Sequence, residues 1–208
     1  MTSDTPLHQL IGVISLEKLN LIGTQPFETK RMKLRAFKLS DAQYIYKNWA
    51  SNENVTKYLT WNTHENLEVS TKFCVERTKL SGRTDNFDWV MVLNETSEPV
   101  GSIGVVRADT DKREAEIGYV LGEKWWNKGL MTEALEPVLA YLFFVVGFDT
   151  VVAEHMSDNK ASGRVLEKCG MKQCGSSKKV LENKGGHEVE TKVYKMTKPE
   201  WYAKNIRF

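Results

Sequence analysis

Glu114-Ala115-Glu116-Ile117-Gly118-Tyr119-Val120-Leu121, followed by Gly122-Glu123-Lys124-Trp125-Trp126-Asn127-Lys128-Gly129 and then by Leu130-Met131-Thr132-Glu133-Ala134, is the stretch on which the fold turns. Its first block is an apolar, partly alternating run that reads as a strand. The second has loop composition, and the third opens a helix expected from Leu130 to about Phe144. A further strand is expected from Thr150 to Met156. Strand, loop, helix, strand is the order that favours a locally parallel pair with the helix packed across it. Gly118 cuts the first strand where a bulge or a close backbone approach is expected. Pro137 lies inside the helix and removes one of its hydrogen bonds, so a kink is expected there.

A glycine-bearing loop that runs straight into a helix leaves backbone N–H groups without intrahelical partners, and the helix dipole adds positive potential at the same end. The segment Trp126, Asn127, Lys128, Gly129, Leu130, Met131 and Thr132 is therefore a candidate phosphate site, with the Lys128 charge and the Thr132 hydroxyl beside it. Neither Gly-x-x-x-x-Gly-Lys-Ser/Thr nor Gly-x-Gly-x-x-Gly is present, which excludes the Walker and dinucleotide loops. Taken alone, the segment fits an ordinary loop with a good helix N-terminus equally well.

Upstream, Phe87 to Asn94 and Val100 to Ala108 form a hairpin about the turn residues 95–99. Met32, Leu34 and Ala36 alternate as a short strand. Ser40 with Gln43 is the expected cap of a helix carrying Tyr44, Ile45 and Trp49. A second helix is expected from Thr63 or His64 to Leu80, with Leu67, Ser70, Thr71 and Cys74 on one face. Downstream, residues 159–169 read as a helix stopped at Gly170, and Met171 to Met196 as two strands about Asn183-Lys184-Gly185-Gly186. Residues 1–27 stand apart as a leader in which Leu7, Leu10, Ile11, Ile14 and Leu21 recur at helical spacing. It is either a packing or disordered leader or an oligomer contact, the latter making a homodimer the oligomer to test. Residues 28–208 form the domain proper.

The chain has 208 residues, 41% hydrophobic and 27% charged, a globular composition of one core. The 29 Lys+Arg against 27 Asp+Glu leave +2, too little for a protein whose affinity depends on neutralising nucleic-acid phosphates. The longest apolar run, Val138 to Phe148, is about half a membrane span, so no membrane crossing is expected. Cys74, Cys169 and Cys174 are odd in number, and the start lacks the pattern of a signal peptide; a reduced, cytoplasmic location is expected. His8, His64, His155 and His187 lack metal-ligand spacing, and Cys169 with Cys174 has no second pair, so no metal is expected. Trp61, Trp89 and Tyr58 either line a pocket or belong to the core. Lysines 172, 178, 179, 184, 192, 195 and 198 suggest a solvated hairpin or a surface for an acidic peptide or ribosomal partner.

Four blocks carry a family resemblance: Lys33-Leu34-Arg35, Ala115-Glu116-Ile117-Gly118-Tyr119, Trp126-Asn127-Lys128-Gly129-Leu130-Met131-Thr132-Glu133-Ala134, and Asn159-Lys160-Ala161-Ser162 leading through Leu166-Glu167-Lys168 to Gly170-Met171. In this order, across residues 28–197, the chain resembles the GCN5-related N-acetyltransferases. More narrowly, it is similar to the branch that acetylates the N-termini of ribosomal proteins. It departs from the wider family's loop at Trp126, at Met131, and at Asn127, where a glycine is common and a left-handed conformation would have to be accepted.

The resemblance implies a single α/β (α+β) domain with a mixed, mostly antiparallel sheet, a splayed parallel strand pair and flanking helices. It implies acetyl-coenzyme A as cosubstrate, its pantetheine between strands 114–121 and 150–156 along Tyr119, Val120 and Leu121, and its pyrophosphate on residues 126–132. An N–H near Tyr119 or Val120 would meet the thioester oxygen. Asn159 would bind pantetheine or diphosphate, and Ser162 would serve the leaving thiolate or else only start its helix. Glu116 is the expected general base, directly or through water, or alternatively a salt-bridge or acceptor-binding group. The acceptor is an amine, first a protein N-terminus and second a small amine such as a polyamine or antibiotic; a coenzyme-binding sensor without transfer is the reading from another class.

Overall fold

The computed structural model describes residues 18–205. One sheet of eight strands runs through them in the order β1-β2-β3-β4-β5-β6-β8-β7. The strands are β1 (Phe27–Glu28), β2 (Met32–Arg35), β3 (Asp88–Leu93), β4 (Pro99–Asp109), β5 (Glu114–Leu121), β6 (Thr150–Met156), β7 (Lys172–Leu181) and β8 (His187–Thr197). Every neighbouring pair is antiparallel except β5 and β6, whose long connection runs through a helix, as parallel crossovers usually do.

Helices cover both faces. On one face α4 (Leu130–Ala140) and α5 (Lys160–Lys168) pack Leu135, Val138, Leu139 and Leu166 against Met32, Leu34, Trp89, Met91, Ala115 and Ile117. On the other, α1 (Ala42–Ile45), α2 (Glu53–Thr56) and α3 (Leu67–Leu80) lie over Val90 and Val92, with Ile45, Trp49 and Cys74 filling the gap. Strand β3 is buried from Asp88 to Val92. Its odd and even residues feed the two cores, which is why it reads as an unbroken apolar run. Trp89 is core, fully buried, its indole N–H donating to Gln25 O at 2.6 Å.

Several expected element starts move. Ser40 does not cap the first helix. Lys38 holds that place, and Asp41 reaches back to accept its N–H at 2.8 Å while taking both Arg35 Nη atoms at 2.7 and 2.8 Å. Asp41 is 2% exposed, so its carboxylate has to be filled by strong partners, and a capping N–H plus a forked guanidinium do that. The second helix begins at Leu67 rather than Thr63 or His64, because Asn66 Oδ1 accepts the Val69 N–H at 3.2 Å. Of its expected inner face, Ser70 and Cys74 are buried and Leu67 is exposed. The chain stays helical through Pro137, and its irregularity comes later, as wider π turns over Tyr141–Val146. A final helix, α6 (Lys198–Asn205), was not expected.

Among the apolar stripe of the leader only Leu21 falls in the described residues, where the chain is not helical; Leu7 to Ile14 lie outside them. Leu19 and Leu21 pack on the larger core, and Asn20 N donates to Val146 O at 2.8 Å. The lysine-rich end is a solvated hairpin with partners, Lys172 on Glu200, Lys178 on Glu188 and Lys179 on Glu154. Among the described residues no helix is long and apolar enough to cross a membrane, and no group of three or more His, Cys, Asp or Glu side chains is placed to hold a metal ion.

Candidate active site

Strands β5 and β6 pair from Glu114 with Thr150 to Ile117 with Ala153 and then part, although β5 continues to Leu121 and β6 to Met156. Beyond Ile117, β5 keeps its partner β4, and β6 keeps β8 as far as Met156 with Thr191. A wedge opens between the parallel strands. Gly122 N donates to Val100 O on the β4 side at 2.9 Å. Alternation along the strand therefore turns the backbone of Val120 and Gly118 toward β4, and that of Tyr119 and Leu121 into the wedge. The Leu121 carbonyl is taken by the Trp126 indole N–H at 2.7 Å. The wedge thus presents the Tyr119 and Leu121 N–H groups, and the Val120 N–H expected there faces the other way.

Gly118 is not bulged. It pairs in register with Gly104, and the irregularity sits on the neighbouring strand between Val105 and Arg107. A Cβ on Gly118 would lie 2.9 Å from Val106 Cγ1, so the glycine accommodates the side chain that the β4 bulge throws across it.

At the mouth of the wedge the chain turns sharply into α4. Asn127 has φ 60° and Gly129, the N-cap, φ 73°; both left-handed positions fall on residue types that tolerate them. No backbone N–H from Asn127 to Thr132 finds an acceptor among the described residues, the first paired amide being Glu133 N on Gly129 O at 3.0 Å. Leu130 and Met131 bury their side chains in the core while their amides stay at the helix end. Asn127, Lys128 and Gly129 are exposed.

A cluster that sequence reading missed holds this turn. Arg31 donates through Nε to Glu133 Oε2 at 2.6 Å and through Nη1 to Lys128 O at 2.8 Å. Arg31 N and Thr29 Oγ1 donate to Glu133 Oε1 at 2.8 and 2.7 Å. Partial burial would raise the Glu133 carboxyl, but the hydrogen bonds from Thr29 and Arg31 hold it below the usual carboxylate range. The guanidinium lies 3.6 Å from where a Gly129 Cβ would stand. The partners are 102 residues apart, and local patterning carries no sign of such a pair.

On the far side of the wedge Asn159 caps α5, its Oδ1 accepting the Ser162 N–H at 3.2 Å. The Tyr119 hydroxyl oxygen lies 2.9 Å from Ser162 Oγ and 3.1 Å from Ser162 O. The structure thus brings Tyr119, Asn159 and Ser162 together on the α4/α5 side. Glu116 is apart from them. It shares its strand face with Val120, which packs toward the α1/α3 core. Its Oε2 accepts from Arg107 Nε at 3.0 Å, in a shallow cavity also lined by Glu114, Val152, Glu154 and Ser177. Nearby, burial pushes the Glu154 carboxyl up, but hydrogen bonds from Ser177, Thr191 and Lys179 outweigh it and bring it down to about 2. Trp61 and Phe73 pack together beside the smaller core, with Tyr58 half-buried further along.

A family profile described as "Acetyltransferase (GNAT) domain" matches residues 31–172, the part of the chain that contains the wedge, the turn and the start of α5. The N-acetyltransferase YoaA of Bacillus subtilis is 30% identical over 172 residues, 83% of this chain and 96% of the relative. The [ribosomal protein uS5]-alanine N-acetyltransferase of Escherichia coli is 33% identical over 85 residues, covering 41% of this chain and 43% of that enzyme. A solved structure of the microcin C7 self-immunity acetyltransferase in complex with acetyl-CoA and AMP superposes with a TM-score of 0.70 at 20% identity, over 81% of this chain and 93% of that one. With the profile spanning residues 31–172, more than half of the chain, and a relative aligned almost end to end, the chain belongs to the GNAT family of N-acetyltransferases.

Proposed function

We propose that the chain binds acetyl-coenzyme A in the β5/β6 wedge and transfers its acetyl group directly to a primary amine, with the α-amine of a protein or peptide N-terminus as the first acceptor class. The observation that carries this is the run of amides from Asn127 to Thr132, left without acceptors among the described residues at a turn held by Asn127, Gly129 and Arg31. Such a run fits two linked phosphates, which take backbone N–H groups and a helix's positive end together. The wedge fits the pantetheine amides, since the Tyr119 and Leu121 N–H groups can pair with an extended chain as with an added strand. The coenzyme supplies an activated acetyl thioester.

This chain's residues do the rest. The Tyr119 N–H, facing the wedge, is the donor placed for the oxygen on which charge develops as the amine attacks. Ser162 is the hydroxyl that stabilises the departing sulfur. Glu116 accepts the proton of the incoming amine directly or through water when its contact with Arg107, whose side chain is 64% exposed, opens. An α-amine asks little of that base, because its pKa of about 7.7–8 against about 10.4 for lysine makes the neutral form cheaper by about 3.5 kcal/mol, at about 1.36 per unit. The uS5-alanine relative supports this acceptor, and a small amine stands as the second class.

The test pairs a thermal shift with acetyl-coenzyme A and a thiol-release assay over N-terminal peptides and small amines. Stabilisation with peptide-dependent release is the expected result. Release with small amines alone moves the acceptor to the second class, and stabilisation without release makes the protein a coenzyme-binding sensor. No stabilisation at about 100 times a reasonable dissociation constant, where about 2.7 kcal/mol is due, overturns the coenzyme site.

A further inference from the structure

We propose that Tyr119 acts through its side chain as a positioning residue, its phenol hydroxyl aiming the Ser162 hydroxyl at the sulfur of the leaving coenzyme; this rests on the reading of Ser162 above. The backbone of Tyr119 borders the wedge, while its side chain reaches the α4/α5 side and ends 2.9 Å from Ser162 Oγ and 3.1 Å from Ser162 O. The N–H of Ser162 is already engaged by Asn159, through Oδ1 at 3.2 Å and O at 3.0 Å. The Ser162 hydroxyl then has one proton to donate and two lone pairs to accept with.

Two arrangements of protons fit these distances. In one, Tyr119 donates to the Ser162 carbonyl, and Ser162 spends its proton on the phenol oxygen. In the other, Tyr119 donates to Ser162 Oγ, and the serine proton is free to point into the wedge. Only the second offers a donor to sulfur. It requires a phenol that donates without ionising, and burial, which pushes the Tyr119 hydroxyl well above its ordinary value, supplies one. During transfer the amine nitrogen bonds to the acetyl carbon, the carbon–sulfur bond breaks, and its electron pair goes to sulfur. The Ser162 hydroxyl hydrogen-bonds that developing charge, Glu116 or water takes the proton shed by the amine, the thiolate takes its proton from solvent, and Tyr119 keeps its own.

The experiment is a double-mutant cycle on the full chain with Tyr119→Phe, Ser162→Ala and the double variant, reading kcat, the KM for acetyl-coenzyme A and the thermal shift the coenzyme produces. One neutral hydrogen bond of about 0.5–1.5 kcal/mol predicts that Tyr119→Phe lowers kcat about three- to tenfold. The KM should stay within about twofold and the thermal shift at its wild-type size. The double variant should be no slower than Ser162→Ala alone, since a phenol with no serine to aim has nothing left to do. Losses that multiply, an unchanged kcat, or a loss confined to KM and the thermal shift would each overturn the proposal. Wild-type protein without thiol release would overturn the reading of the site beneath it.

Discussion

Asn127 and Gly129 sit at φ 60° and 73°, and the left-handed region at both positions aims the intervening amides outward. A side chain on Gly129 costs about 1–2 kcal/mol through backbone strain alone, so Gly129→Ala and Gly129→Asp carry that cost in common. The aspartate also brings a negative charge to an anion site. Its coenzyme Kd should be at least about tenfold weaker than that of the alanine variant by calorimetry, and equal constants would remove the phosphates from this turn. Arg31→Ala should weaken the coenzyme several-fold as well, because it frees the Lys128 carbonyl and uncovers the Glu133 carboxylate beside the same loop; an unchanged Kd would make the cluster a structural clasp only. The tight conformation at Asn127 was legible through the family resemblance, since a glycine is common there and Asn tolerates such positions, whereas Gly129 read only as part of a glycine-bearing loop. The Arg31 clasp was not legible, because a pairing across 102 residues leaves no local periodicity, and Arg31 reads only as the start of a strand.

Elements were more legible than their ends. The periodicity of α3 was plain, but its start depended on whether Asn66 or an earlier polar residue closed the first turn. A start that could have been read was missed at α6, where Thr197-Lys198-Pro199-Glu200 has the form of a capping box. Glu200 Oε2 accepts both Thr197 N and Thr197 Oγ1 at 2.9 Å. Glu200→Ala should cost about 1 kcal/mol, roughly 2–4 °C in Tm for a chain of this size, and no change would mean that packing alone holds α6. The contact between β3 and α3 carries a pH dependence. Burial pushes the Asp88 carboxyl from 3.8 up to about 6, against the opposing pull of Arg77, whose Nη1 lies 3.0 Å from Oδ2. The folded chain therefore binds this proton more tightly than the unfolded one. The stability it contributes is present below about pH 3.8 and is lost as pH rises toward 6, on the order of 3 kcal/mol at about 1.36 per unit. Asp88→Asn should flatten this decline, so that urea midpoints of variant and wild type diverge in the variant's favour between pH 4 and 6. Parallel curves would place the carboxyl at its ordinary value.

Across the molecule, the sheet is continuous in one sense and open in another: each strand keeps a partner, yet β5 and β6 separate after Ile117 and Ala153. The strand, loop, helix, strand order announced the parallel pair. Gly118 was read as the site of a bulge or a close backbone approach, but the bulge fell on β4 because the glycine makes room for Val106 rather than bending its own strand. Such a relation between neighbouring strands exists only once they are paired, so neither strand shows it alone. The opening makes a prediction about exchange that no single residue makes. Amides that face the wedge or end in the turn, those of Tyr119, Leu121 and 127–132, are without acceptors among the described residues and should exchange rapidly in the free protein. Gly118 and Val120, turned to β4 by the alternation of the same strand, should be protected throughout. Acetyl-coenzyme A should slow the first group and leave the second unchanged, giving a residue-by-residue alternation of protection gain along β5. If β5 instead gained protection evenly, the coenzyme would be tightening the sheet as a whole, and the strand-like pairing assigned to the wedge would be wrong even with the phosphates in their place.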